Sequence, residues 1–190
     1  IAHAVQFLEG SGVAVGTVIG FPHGTTSTAA KVAETRQAAA DGASEFDMVV
    51  NIGALRSGFD DVVRDDIRAV VEAAGGAVTK VILEVSLLDD EQIERGSRLA
   101  EEAGADFVKT STGFAGGGAT VETVSLMRRT VGPDTQVKAS GGVRSLQDAI
   151  AMLDAGATRL GTSGSATILG ELRRIAAGGT ASGAVDESSY

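Results

Sequence analysis

At 190 residues, 43% hydrophobic but only 4% aromatic and with 26 glycines, the chain is long enough for one domain with a sizeable core and too short for a second full one. A net charge of −9 argues against nucleic acid or anionic membrane as a partner, and any anionic substrate would need a local positive site. Without cysteine there are no disulfides and no thiolate metal ligands, which suits a cytoplasmic protein; no run of about 18 apolar residues is present to span a membrane, and the first residues do not read as a signal peptide.

Residues 1–8 (IAHAVQFL) have the pattern of the end of an amphipathic helix, closed by Gly10 and Gly12, and 13–19 (VAVGTVI) follows as a strand. The loop Gly20-Phe-Pro-His-Gly24 leads to Thr25–Ser27, whose hydroxyls cap a helix running to Ala40. Residues 45–51 (EFDMVVN) form the next strand. Val63, Ile67, Val70, Val71 and Ala74 recur at helical spacing until Gly75-Gly76, and 79–85 (TKVILEV) returns to a strand. Asp89 with Gln92 has capping-box spacing for a helix ending at Gly104. Residues 106–111 form a strand that carries Lys109, and a glycine loop at 116–118 precedes a helix begun by Thr120. A strand at 135–139, a helix capped by Ser145, a short strand at 158–160 and a helix at 166–176 complete the order.

Three helix-to-strand junctions repeat a Gly-Ala step, at Gly42-Ala43, Gly104-Ala105 and Gly156-Ala157, as expected for tandem βα units in which a glycine stops each helix. Strict alternation implies a parallel α/β sheet, either a (β/α)8 TIM barrel or an open doubly wound sheet. No G-x-G-x-x-G follows the first strand, so the barrel is favoured. About six strands are present where a closed barrel takes eight, and the abrupt start suggests that the first two βα units are lacking. Residues 1–177 are expected to form one barrel domain, N-terminally incomplete, and 178–190 a mobile polar tail.

Lys109 breaks an apolar run just before the Thr-Ser-Thr-Gly113 turn. Such a lysine either snorkels to water from a strand end or stands in a dry pocket as a nucleophilic amine. Lys138 ends the following strand at a matching place. By alternation both face one side, and two inward ammonium groups on adjacent strands, about 4.8 Å apart, disfavour two protons on the pair. Asp47 lies inside Phe-Asp-Met-Val-Val and is either a carboxylate satisfied by backbone or arginine, or a partner of Lys138 in proton transfer. Glu84 is expected to be structural. Gly141-Gly142-Val-Arg144 and Gly161-Thr-Ser163-Gly164-Ser165 each offer backbone N–H groups before a helix, an arrangement suited to phosphate, and Arg144 is either part of it or a solvated cation. The two histidines, His3 and His23, are widely separated and pair with no carboxylates at ligand spacing, so no metal site is expected; no G-x-S-x-G is present either.

The segments Val18-Ile-Gly-Phe-Pro22, 45–53, Phe107-Val-Lys-Thr-Ser-Thr-Gly113, Val137-Lys-Ala-Ser-Gly-Gly-Val-Arg144 and 156–161 together resemble the deoxyribose-phosphate aldolase family, class I aldolases of the (β/α)8 barrel type. The resemblance covers nearly the whole chain except the tail. It implies reversible cleavage of 2-deoxy-D-ribose 5-phosphate to acetaldehyde and D-glyceraldehyde 3-phosphate, in deoxyribonucleotide catabolism and without a cofactor. It further implies Lys109 as the Schiff-base lysine, Lys138 as the second lysine, Asp47 as the carboxylate that moves protons with Lys138, and Tyr190 as an assisting residue on the tail. Gly113, Gly141, Gly142, Gly161, Ser163 and Gly164 match positions around the substrate phosphate. Phe114 stands where some members carry a lysine, and a threonine-bearing early strand of the family has no counterpart here. The expected partner is a small phosphosugar, with a homo-oligomer as the expected assembly. Another class I phosphosugar aldolase or transaldolase, or a non-catalytic or truncated phosphosugar-binding relative, is the alternative.

Overall fold

The computed structural model describes residues 1–187, so Tyr190 lies outside the described residues. Six strands, β1 (Gly16–Ile19), β2 (Glu45–Val49), β3 (Val78–Ile82), β4 (Phe107–Lys109), β5 (Gln136–Ser140) and β6 (Arg159–Gly161), form one sheet in sequence order. Every neighbouring pair is parallel. Helices connect them: α1 (Ala2–Phe7) precedes β1, and α2 (Thr28–Ala40), α3 (Ile52–Arg56), α4 (Asp60–Ala73), α5 (Asp90–Glu102), α6 (Val121–Thr130), α7 (Leu146–Asp154) and α8 (Ser165–Ala176) follow.

Alternation along the strands divides the sheet into two unlike faces. Phe46, Met48, Val81, Val108, Val137 and Ala139 point to the helices, where Val63, Ile67 and Val70 of α4, Ile93 and Leu99 of α5 and Val124 and Met127 of α6 complete the core. Asp47, Lys80, Lys109 and Lys138 occupy the other face, which would be an unusual surface for a flat sheet. The sheet is curled. Glu45 on β2 and Arg159 on β6 are four strand spacings apart, about 19 Å in a flat sheet, yet their charged atoms approach to 2.6 Å. The charged face is therefore the concave inside of a barrel wall, six strands present, as expected of a TIM-barrel fold. Among the described residues no pairing joins β1 to β6.

Local signals explain the element ends. Asp89 accepts from the Gln92 amide at 2.8 Å and the Gln92 side chain accepts from the Asp89 amide at 3.2 Å, so the expected capping box forms at the start of α5. Thr120 and Ser145 build similar boxes on α6 and α7. The strands are shorter than the apolar runs implied. β1 starts at Gly16 rather than Val13, because Val13 is exposed with no strand beside it. Residues 51–56 do not continue β2: Asn51 accepts from the Ala54 amide at 3.0 Å and starts α3. β3 stops at Ile82, and Glu84, in the left-handed region at φ 59°, turns the chain into a 3-10 segment over Val85–Leu87. Residues 178–187 lie back on the barrel: the Ser182 amide and hydroxyl both donate to Glu171 on α8 at 2.7 Å, Val185 bridges to Ser145, and the Asp186 amide donates to Arg144 O at 2.9 Å.

Candidate active site

The strand order places Lys109 of β4 directly beside Lys138 of β5 in register. Both side chains lean across the concave face to one carboxylate oxygen. Lys109 Nζ donates to Asp47 Oδ2 at 2.9 Å, and Lys138 Nζ donates to the same oxygen at 2.7 Å. The curl of the sheet makes this possible, since β2 and β5 are three spacings apart, about 14 Å if flat. Lys109, Lys138 and Asp47 are thus brought together as the sequence implied, and Asp47 pairs with both lysines rather than with Lys138 alone.

A third strand lysine completes the group. Lys80 of β3 is 1% exposed and lies 2.9 Å from Asp47 Oδ1 and 2.7 Å from Glu45 Oε2. Arg159 of β6 holds Glu45 through two contacts of 2.6 and 3.1 Å. The Phe107 ring lies beside both cations, 5.9 Å from Lys80 Nζ and 5.4 Å from the Arg159 guanidinium. Lys80 is absent from the sequence-derived set, although it carries the same signal as Lys109, a lone cation inside an apolar strand. Val81 and Ile82 masked it, because an amine near a strand start suggests an exposed end.

Four cations (Lys80, Lys109, Lys138, Arg159) face two carboxylates (Glu45, Asp47) in this cluster. Burial acts to raise the Asp47 carboxyl, but attraction by Lys109 and Lys138 and hydrogen bonds from Lys138 and Lys80 overcome it and hold the group far below the usual carboxylate range. Asp47 is therefore an acceptor at neutral pH and not a source of protons. Burial lowers Lys138, and the neighbouring Lys109 cation lowers it further against the pull of Asp47. Glu45 is lowered in spite of burial by hydrogen bonds from Lys80 and Arg159.

Beyond the lysines, glycine loops from three strand ends surround a cavity of about 460 Å³, lined by Gly113, Gly116–118, Gly141–Arg144, Gly161, Thr162 and Ser163. Gly141 and Gly142 hold φ of 81° and 80°, a conformation that keeps side chains away and leaves amides to line the wall. Gly161 lies where the cavity meets the amines: a Cβ there would stand 2.8 Å from Ser140 Cβ and 3.4 Å from Lys138 Cε. Arg144 is the cation of this lining. Gly164 is set back from it as the N-cap of α8. Glu84, expected to be structural, is buried and accepts from the Thr112 amide, at 3.3 Å to one oxygen, and from the Thr112 hydroxyl, tying the turn between Lys109 and Gly113 to the end of β3. Phe114 packs edge-on against Phe21, its ring centre 5.4 Å away.

A concave parallel wall with inward-facing amines beneath a glycine-lined cavity defines a barrel enzyme acting on carbonyl compounds. The chain belongs to the DeoC/LacD family of aldolases, whose family model matches residues 2–181. It is 58% identical over 173 residues to deoxyribose-phosphate aldolase 1 of Oceanobacillus iheyensis, covering 90% of this chain and 78% of that protein. It is 57% identical over 169 residues to the deoxyribose-phosphate aldolase of Macrococcus caseolyticus, covering 89% and 77%. Among solved structures, the tetrameric deoxyribose phosphate aldolase of Aeropyrum pernix superposes with a TM-score of 0.81 at 35% identity, covering 92% of this chain and 73% of that one. No helix among the described residues is long and apolar enough to cross a membrane.

Proposed function

We propose that the chain catalyses the reversible aldol cleavage of 2-deoxy-D-ribose 5-phosphate to acetaldehyde and D-glyceraldehyde 3-phosphate through a Schiff base on Lys109. The observation that carries this reading is the single Asp47 oxygen shared by Lys109 and Lys138. The two amines share that oxygen, so a proton leaving Lys109 has a short path along it to Lys138, which burial and the Lys109 cation lower from the usual lysine range so that it exchanges protons more readily than a free lysine. Unprotonated Lys109 Nζ then adds to C1 of the open-chain sugar, and loss of water leaves an iminium. The C2–C3 bond breaks with its electron pair entering the iminium, the C3 hydroxyl gives up its proton, and D-glyceraldehyde 3-phosphate departs. The enamine takes a proton at C2, and hydrolysis frees acetaldehyde and Lys109.

The phosphate sits among the amides of Gly113, Gly141, Gly142, Gly161 and Ser163 with Arg144 as counter-charge, and Gly164 supports this wall from the N-terminus of α8. The excess of cations in the interior suits a dianionic substrate. Tyr190 is proposed to assist proton transfer by resemblance alone. Residues 1–177 act as one domain. The relative from Aeropyrum pernix is a tetramer, which supports a homo-oligomer as the assembly. The absence of cysteine and the acidic charge suit the cytoplasm.

Incubation with acetaldehyde and borohydride tests the reading. A two-carbon adduct should appear by mass spectrometry on the peptide carrying Lys109 and disappear in Lys109→Ala. Adduct persisting in that variant would place the nucleophile elsewhere. Light scattering of the purified protein reads the assembly, with a monomer counting against the homo-oligomer.

A further inference from the structure

Lys80 takes no part in the reaction as written, yet it is a buried cation held between two carboxylates. Burying an ammonium is strongly unfavourable unless it is paired on more than one side, and an apolar side chain would fill a strand interior without that penalty. Glu45 is in turn fixed by the Arg159 fork. Among the described residues, the charged groups that face the amines of Lys109 and Lys138 are Asp47 from β2 and Lys80 from β3, with Glu45 and Arg159 behind Lys80. β1 (Gly16-Thr-Val-Ile19) contributes no charged side chain, and Glu84 is bonded to Thr112.

A carboxylate bonded through one oxygen only can swing about its Cβ–Cγ bond. With Oδ1 tied to Lys80, Asp47 cannot swing without breaking that contact, and Oδ2 stays aimed at the two amines. We infer that Lys80 is a positioning residue of this aldolase: backed by Glu45 and Arg159, it orients Asp47 so that one carboxylate oxygen bridges Lys109 and Lys138. The inference rests on the proposed aldolase function. A consequence follows from charge alone. The Lys80 cation disfavours a second proton on the amine pair, whereas the Glu45 anion favours it. Removing each should move the pair's titration in opposite directions.

The test is the pH profile of kcat/KM for deoxyribose 5-phosphate cleavage in the full chain, in Lys80→Met and in Glu45→Gln, with the fold checked by circular dichroism. The acidic limb, where the amine pair loses a proton, is expected to move up by about 0.5–1 pH unit in Lys80→Met, with kcat reduced about tenfold, and to move down by a similar amount in Glu45→Gln. Limbs that stay in place, or that both move the same way, would overturn the inference. If Lys80→Met does not fold, Glu45→Gln decides alone: a downward move supports the role and an unmoved limb removes it. Borohydride trapping of acetaldehyde in the unsubstituted protein separates the two levels. No adduct there defeats the aldolase reading, while a normal adduct with unmoved limbs defeats only the role of Lys80.

Discussion

Asp47 is the residue at which the interior charges meet, because it stands where three lysine-bearing strands converge and has two oxygens to offer them. Asp47→Asn keeps the shape and removes the charge, leaving buried Lys80 and Lys109 and half-buried Lys138 without their shared anion. The expected loss is about 3 kcal/mol of stability in urea unfolding and at least about a hundredfold in kcat. The sign of the pH dependence follows from the direction of the shift. The folded carboxyl lies below its unfolded value near 3.9, so its contribution is full above about pH 4 and declines as pH falls further. The Asp47→Asn variant should therefore show a flatter loss of stability between about pH 4 and 2 than the parent; equal slopes in the two proteins would count against the ion-pair account.

At the scale of elements, loops and helix contacts decide how accurately the strand ends are held. Gly161 closes the gap between the glycine-lined cavity and Lys138. Gly161→Ala brings a methyl group to within 2.8 Å of Ser140 Cβ, so either the β6 end or the β5 end must shift. A rise of about tenfold in KM for the phosphorylated substrate is expected, with a smaller effect on unphosphorylated deoxyribose, because the moved amides line the cavity proposed for the phosphate. Equal effects on both substrates would assign the damage to the amine side instead. On the outer layer Lys31 of α2 is fully buried, donating to Asp66 of α4 at 2.6 Å and to Val49 O at the end of β2 at 2.9 Å. Lys31→Met strands the Asp66 charge and should cost about 3–5 kcal/mol. The double change Lys31→Met, Asp66→Leu should recover part of that loss in the same unfolding measurement, and no recovery would show that the contact to Val49 O matters more than the ion pair.

At the scale of the whole molecule, the Glu45–Arg159 contact ties β2 to β6 across the hollow of the sheet. Arg159 is partly open to water, so the pair is worth less than a fully buried one. Arg159→Leu is expected to lower stability by about 1–2 kcal/mol, seen as a fall in Tm that shrinks as salt is added to the parent protein. A Tm unchanged in low salt would mean that helix packing alone keeps the wall curved.

The one-dimensional pattern determined much of this protein. The βα alternation, the capping box at Asp89, the cap at Ser145 and the glycine loops depend on residues close in the chain, and such signals survive without a third dimension. The face shared by Lys109 and Lys138 was legible too, since strand periodicity orients side chains whatever the sheet does. Where strands end was not, because Asn51 and Glu84 leave the sheet through local turns whose competition with pairing depends on neighbouring strands. Only the tertiary structure brought Asp47 to both amines and disclosed Lys80, Glu45 and Arg159 as one charged group. The reason is curvature: contacts across three or four strands exist only once the sheet bends back on itself, and no spacing along the chain encodes that distance.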